Sequence, residues 1–422
     1  MWSFFSSARV RQLSFFWSAV IIVGLFVSAW VLVLPSIGMA GLFLTGVGYA
    51  LNQKRISQWR RWPELLSFLL VYLVHAVTGL AQNSWNNQEL WRDLILQLPF
   101  ILLPVAFLLL PDWEALHKRN TWFLLIACCL LAAIGATINY ALHYKEIESL
   151  YLQSKVMPTE PDHIRFSLLV SIAVLAGIVL IFGRQLPYWV RLAIVLSVAL
   201  LFLFQHMLAV RSGIVTMYAA GLLWLLWLGW QLRQWKTALA GVVLMVGLGT
   251  GCYLLFPTLR NKVTNTRNDA SQLHSKGAAW VNYSVTARVY SFQAASAIIQ
   301  DHPVIGVSKM QLPAKMAEQY RYSFPDIDPK RYVLPHNQFI YNLASYGVLG
   351  LLVFLFGYYY LLWVGIRQRN ILLLLIYLII TVSFTVEYTL ESNIGVVIGL
   401  FFPLLAATPT FTTSPEPADE PA

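Results

Sequence analysis

The chain has 422 residues, 58% hydrophobic and only 11% charged, with a net charge of +10 and a mean hydropathy of +0.63. Water-soluble domains carry about 25% charged residues, so this composition excludes a soluble enzyme. Its continuous apolar runs exclude an outer-membrane barrel, whose strands alternate polar and apolar residues. No basic stripe or compact polar domain turns the positive charge towards nucleic acid. Cys128, Cys129 and Cys252 lie inside apolar runs, where cysteine behaves as a small hydrophobe, and no disulfide is expected. The first apolar run lacks a small-residue cleavage site, so it reads as a retained span.

Twelve runs approach the roughly 20 apolar residues that span a bilayer: 14–34, 36–52, 63–82, 93–110, 121–142, 165–183, 188–207, 211–231, 237–256, 339–365, 370–386 and 391–408. With a cytoplasmic N-terminus, the inner short segments collect Arg9, Arg11, Lys54, Arg55, Arg60, Arg61, Lys118, Arg119, Arg184, Arg191, Arg233, Lys236, Arg367 and Arg369. The outer short loops hold only Arg92, Lys145, Lys155, Arg165 and Arg211. The positive-inside rule therefore puts both termini in the cytoplasm. The organisation expected is nine transmembrane helices over 1–256, a large outer loop over 257–338, three helices over 339–408, and a disordered cytoplasmic tail over 409–422.

The outer loop is polar and net +5, with ten cations against Asp269, Asp301, Glu318, Asp326 and Asp328. Loops of this length tend to be functional. Tyr283–Ile299 has helical spacing and ends at Asp301-His302-Pro303, and Ser308–Tyr320 reads as a second helix with Pro313 in its first turn. Arg288 sits in the first of these helices, and His336 follows Pro335 at the mouth of the tenth span. A helix N-terminus there favours an anion and a neutral, proton-accepting histidine; Asn337 reads as a cap. Arg211 opens the eighth span in Arg211-Ser212-Gly213. Read singly, these are a loop arginine, an interfacial histidine and a snorkelling arginine. Read together, they converge on one outer interface, where arginine suits phosphate and histidine suits proton removal. That combination points to group transfer from a lipid-linked pyrophosphate.

Other features carry less. Asp326 and Asp328 form a D-x-D that in some glycosyltransferases holds a metal, but Pro325 and Pro329 bracket it as a turn. Glu387 and Glu391 read as counter-charges to the basic loop or as plain loop residues, and Arg165, near His163, as a possible extension of the phosphate site. His75 and His143 stand near span ends. There is no P-loop, G-x-S-x-G or H-E-x-x-H, and no cofactor or metal is expected.

Arg211-Ser212-Gly213, Asp301-His302-Pro303-Val304-Ile305-Gly306 and Pro335-His336-Asn337-Gln338-Phe339, in this order on one face, resemble the O-antigen ligase and polymerase superfamily. The span count and loop position match across nearly the whole chain, and the motifs cover about 208–350. The sequence departs from the pattern at Ser308, where the family often has a second glycine. The resemblance implies an all-α polytopic membrane protein with a GT-C-type fold. It also implies metal-independent, inverting transfer of a polysaccharide from undecaprenyl pyrophosphate to lipid A–core oligosaccharide at the periplasmic face of the inner membrane. The motif arginines fall on Arg211 and Arg288 and the motif histidine on His336, with Arg331, Asn337 and Arg165 as lesser candidates. An O-antigen polymerase or a protein O-oligosaccharyltransferase would use the same donor with another acceptor. A polyisoprenoid-glycan flippase is a more distant reading, since transporters gather ionisable residues near the midplane.

Overall fold

The computed structural model describes residues 6–82, 86–153, 155–182, 186–271 and 284–408; Arg184, Lys276, Tyr283 and the tail expected over 409–422 lie outside them. Among the described residues the chain is helical, with no strand. This is a polytopic all-α membrane protein.

Helices α1 (Ser7–Phe26), α2 (Leu34–Gln53), α7 (Ala115–Leu142), α9 (His163–Ile181), α10 (Tyr188–Leu208), α11 (Arg211–Leu232), α12 (Trp235–Leu255) and α16 (Gln338–Arg367) are each long and apolar enough to cross a membrane. The expected third span is two pieces, α3 (Trp62–Leu66) and α4 (Leu69–Gln82), bent by 45°. The fourth starts earlier than expected, as α5 (Gln88–Gln97) continued by α6 (Pro99–Leu109). The last two expected spans are the shorter apolar helices α17 (Ile371–Val386) and α18 (Asn393–Ala407). α8 (Tyr144–Leu152) lies between α7 and α9.

Enclosure varies from helix to helix. α9 is buried along most of its length against α7, α10, α11 and α17, and forms the middle of the bundle. α12 is almost wholly exposed, with Leu239, Val243 and Leu254 each about two-thirds accessible. In lipid such a surface needs no polar cover, so helices at the rim of a bundle can be apolar all round.

The described parts of the polar segment between α12 and α16 carry helices too. α13 (Pro257–Ser271) continues directly from α12, α14 (Ser284–Asp301) follows the expected first loop helix, and α15 (Leu312–Ser323) has Pro313 in its first turn. α14 and α15 share a small core with the start of α16, built on Ala295, Leu312, Met316, Tyr341 and Ala344. This core holds α14 and α15 on the bundle.

A backbone interlock completes the attachment. α16 breaks at Gly347 (φ 64°, ψ −171°), a conformation essentially confined to glycine. Residues 303–308 dock along the break: Val307 and Ser308 N–H donate to the Ala344 and Ser345 carbonyls (3.1 and 2.8 Å). In return, Val348 and Leu349 N–H donate to the Pro303 and Val304 carbonyls (2.8 and 3.2 Å). Irregular backbone at membrane depth is tolerated only where protein satisfies it, and here the loop does so. Ser308 itself has φ 70°, so the serine at the superfamily's glycine position adopts the left-handed conformation that a glycine would adopt freely.

Candidate functional site

His336 stands two residues before α16. Asn337 is the N-cap, its side-chain oxygen accepting from the N–H groups of Phe339 and Ile340 (2.9 and 3.0 Å). Its amide donates to the Thr385 carbonyl at the end of α17 (3.1 Å). That bond ties the mouth of α16 to the α17 terminus and brings His336 against Glu387: His336 Nδ1 and Glu387 Oε1 are 3.1 Å apart. The Tyr388 ring lies against the imidazole, with centroids 5.0 Å apart. The Glu387 side chain is buried (7% exposed) and the His336 side chain is not (28%). With Nδ1–H directed at the carboxylate, Nε2 is left as the acceptor. The carboxylate orients the ring.

Arg211 is set by a tight corner. α10 ends at Leu208, Ala209 takes φ 52°, and α11 begins at Arg211. Carbonyls freed by the end of α10 are taken up by Tyr151 Oη on Leu208 (2.9 Å) and Thr258 Oγ1 on Met207 (2.6 Å). Gly213 lets α11 press on α9, since a Cβ there would sit 2.3 Å from Gln205 Nε2 and 2.4 Å from Ser167 Cβ. This close approach accounts for the glycine of Arg211-Ser212-Gly213.

Arg288 is placed through α14. Asp269, at the end of α13, is buried and accepts from the Thr286 N–H and hydroxyl (3.3 and 3.0 Å), capping the first turn of α14. Arg211 feels the charges of both Asp269 and Arg288. Lys262, two turns before Asp269 on α13, joins them: burial together with the charges of Arg211 and Arg288 pushes its ammonium down to about 8.

The same cations reach the histidine's partner. Burial pushes the Glu387 carboxyl up, but the His336 hydrogen bond and the charges of His336, Arg165 and Arg288 outweigh it, and the group lies below its ordinary 4.5. Arg165 sits on the first turn of α9, bonded to Asp162 Oδ1 (3.1 Å). Asp162 also caps that helix through the Ile164 N–H (3.0 Å).

The structure thus brings together Arg211, Arg288, Arg165, His336 and Asn337 at one end of the bundle and adds Glu387, Lys262 and Asp269. Arg331 is exposed on a 3-10 turn (Pro329–Arg331), and among the described residues no interaction joins its side chain to the group. Asp328 accepts from the Lys330 N–H (2.9 Å), the turn role read for D-x-D. Among the described residues, no three His, Cys, Asp or Glu side chains cluster so as to hold a metal ion.

Sequence reading passed over a second polar group close by. Lys309 is ion-paired with both Asp93 and Glu391. Asp93 Oδ2 is 3.0 Å from His75 Nδ1, which also lies 2.9 Å from Tyr346 Oη. His75 is therefore part of a buried network, and Glu391 is a counter-charge to the loop, as one reading of it held.

Residues 196–355, from α10 to the first half of α16, match the family model described as O-antigen ligase. They contain Arg211, Lys262, Asp269, Arg288 and His336. The match supports placing the chain among proteins of the O-antigen ligase/polymerase superfamily through this segment. No curated protein matches the chain. The match supports a function of the O-antigen ligase/polymerase type, a family of enzymes that work on lipid-linked polysaccharide. Of the site residues in the matched segment, His336 and Arg288 act on Glu387, which lies beyond it.

Proposed function

We propose that the protein is an O-antigen ligase of the inner membrane. It transfers O-antigen polysaccharide from undecaprenyl pyrophosphate to lipid A–core oligosaccharide, with both termini cytoplasmic and residues 257–338 on the periplasmic face. The observation that supports this most directly is the pairing of His336 with Glu387 within the field of Arg165 and Arg288, with Arg211 and Lys262 beside them. A base and a cationic clamp stand side by side at one end of a lipid-facing bundle.

In the transfer, a hydroxyl oxygen of the acceptor sugar attacks the anomeric carbon of the donor from the side opposite the pyrophosphate. The new C–O bond forms as the bond to the pyrophosphate oxygen breaks, and the configuration inverts. The hydroxyl proton passes to His336 Nε2, and Glu387 stabilises the resulting imidazolium. The electron pair leaves with undecaprenyl pyrophosphate, held by Arg211 and Arg288 with Lys262. Donors placed where charge develops are worth about 10²–10³ in rate each, and a positioned base about 10²–10⁴. A single displacement needs no protein nucleophile.

The test uses purified protein with undecaprenyl-pyrophosphate glycan and lipid A–core in the presence of EDTA, with products resolved on a gel. A ladder on lipid A–core, abolished by His336→Ala and by Arg288→Ala, is the expected result. Longer lipid-linked glycan without transfer to lipid A–core would make the enzyme a polymerase. Full transfer by both variants would remove the assigned roles.

A further inference from the structure

Beside His336 lies a cavity of about 590 Å³, within the roughly 300–1,000 Å³ of small-molecule sites. Its walls come from the α1–α2 turn and the starts of α2, α5 and α18, with Lys309 and Met310 from the outer segment. Tyr388 belongs to the wall and also touches His336. Glu387 is extended (φ −155°, ψ 149°), and successive side chains of extended backbone point to opposite sides. Glu387 accordingly pairs with His336 in the field of Arg165 and Arg288, while Tyr388 lines the cavity and touches the same imidazole.

We infer that this cavity binds the sugar units of the acceptor and presents the attacking hydroxyl to His336. The inference rests on the transfer reading above. Its chemistry is that of a neutral, hydroxyl-rich ring. Tyr388 and Tyr341 stack on each other (centroids 5.5 Å, 23° between planes) and form an aromatic wall for the C–H face of a sugar. Glu89, Arg92, Ser36 and Asn393 offer hydrogen-bonding groups around it. The charges argue against the donor here: Lys309 is already held by Asp93 and Glu391, Glu89 offsets Arg92, and the balance left is negative. A pyrophosphate belongs with Arg211 and Arg288. The far wall is apolar, with Leu32, Met39, Ile394 and Val397, which fits an acceptor that carries acyl chains.

Ser36→Trp and Asn393→Trp fill the cavity without touching His336. The experiment measures transfer with lipid A–core varied at saturating undecaprenyl-pyrophosphate glycan, and then the reverse. Expected is a tenfold or greater rise in KM for lipid A–core with the donor KM within twofold of the parent. An unchanged acceptor KM in active variants overturns the inference and leaves the ligase reading intact, and so does a rise confined to the donor. A parent protein without transfer refutes the ligase reading, and the inference falls with it. A readout independent of activity comes from Asn393→Cys: deacylated core oligosaccharide slows maleimide labelling of the new thiol, whereas inorganic pyrophosphate does not. Labelling indifferent to the saccharide overturns the proposal even if the tryptophan variants fail to fold.

Discussion

His336 Nδ1 and Glu387 Oε1 lie 3.1 Å apart, joining the mouth of α16 to the end of α17. The contact fixes one ring nitrogen as donor, leaves the other free to accept, and puts a negative charge where an imidazolium would form. Glu387→Gln keeps the shape and removes the charge. Expected is a fall in kcat on the order of 10²-fold with both KM values little changed, read in the transfer assay. The carboxyl's folded pKa lies below 4.5, so its contribution to stability is present above about 4.5 and is lost as pH falls through the folded value. The melting difference between parent and Glu387→Gln should therefore be largest near neutral pH and shrink on acidification below 4.5.

Lys262 gives a second pH signature. Its ammonium, buried beside Arg211 and Arg288 and pushed down to about 8, is charged at pH 7 and neutral above 8. Donor KM should rise as pH passes about 8, while Arg211 and Arg288 on the neighbouring helices keep their charge. Lys262→Arg flattens the profile, and Lys262→Met weakens donor binding throughout. A folded pKa below the unfolded 10.5 makes the protein gain stability as pH climbs between those values, so the loss of donor affinity is not unfolding. A flat parental profile from pH 7 to 9.5 would remove Lys262 from the clamp.

The apolar runs were legible in the sequence because lipid demands them, and Arg211, Arg288 and His336 because short motifs mark them. Glu387 was legible only as a counter-charge or a plain loop residue, not as the histidine's partner: a carboxylate at a span's end has no local signature, and the Asn337–Thr385 bond joins the two helix ends that carry the pair. Lys262 was one of ten loop cations, distinguished only by what α13 packs against, and α13 itself is too polar to show a helical period. The break in α16 was hidden inside a long apolar run, since the docked segment 303–308, and no local propensity, sets the Gly347 backbone.

Gly347 and its partner Gly306 make that docking testable. A Cβ on Gly347 would lie 2.2 Å from the Val304 carbonyl oxygen, and one on Gly306 would lie 2.5 Å from the Ser345 carbonyl. These neighbours are backbone and cannot swing aside. Gly347→Ala should cost about 1–3 kcal/mol for its conformation alone, with the clash added. It should lower the melting temperature and cut transfer, although no atom of residue 347 reaches the site. A variant as stable and as active as the parent would show that the loop does not depend on this register.

Lys309 separates buried from exposed charge. Burial pulls its ammonium down, but Glu391 and Asp93 more than offset this and raise it above 10.5; the pairing stabilises below 10.5 and is lost only as pH rises through the folded value. Lys309→Met leaves two carboxylates, each about 5% exposed or less, without their cation. Removing one partner of a buried ion pair typically costs about 3–5 kcal/mol, and thermal denaturation of the purified protein should show a loss of that size. Asp93→Asn and Glu391→Gln added to Lys309→Met should recover part of it, because uncharged amides carry no ionic desolvation cost. Lys315, paired with Glu318 at 3.0 Å but largely in solvent, is the control: Lys315→Met should leave the melting curve where it was. Glu391 lies four residues beyond Glu387, so loss of Lys309 should also lower kcat as the turn carrying the histidine's partner loosens. Lys309→Met with unchanged kcat would mean that the two carboxylates are positioned independently.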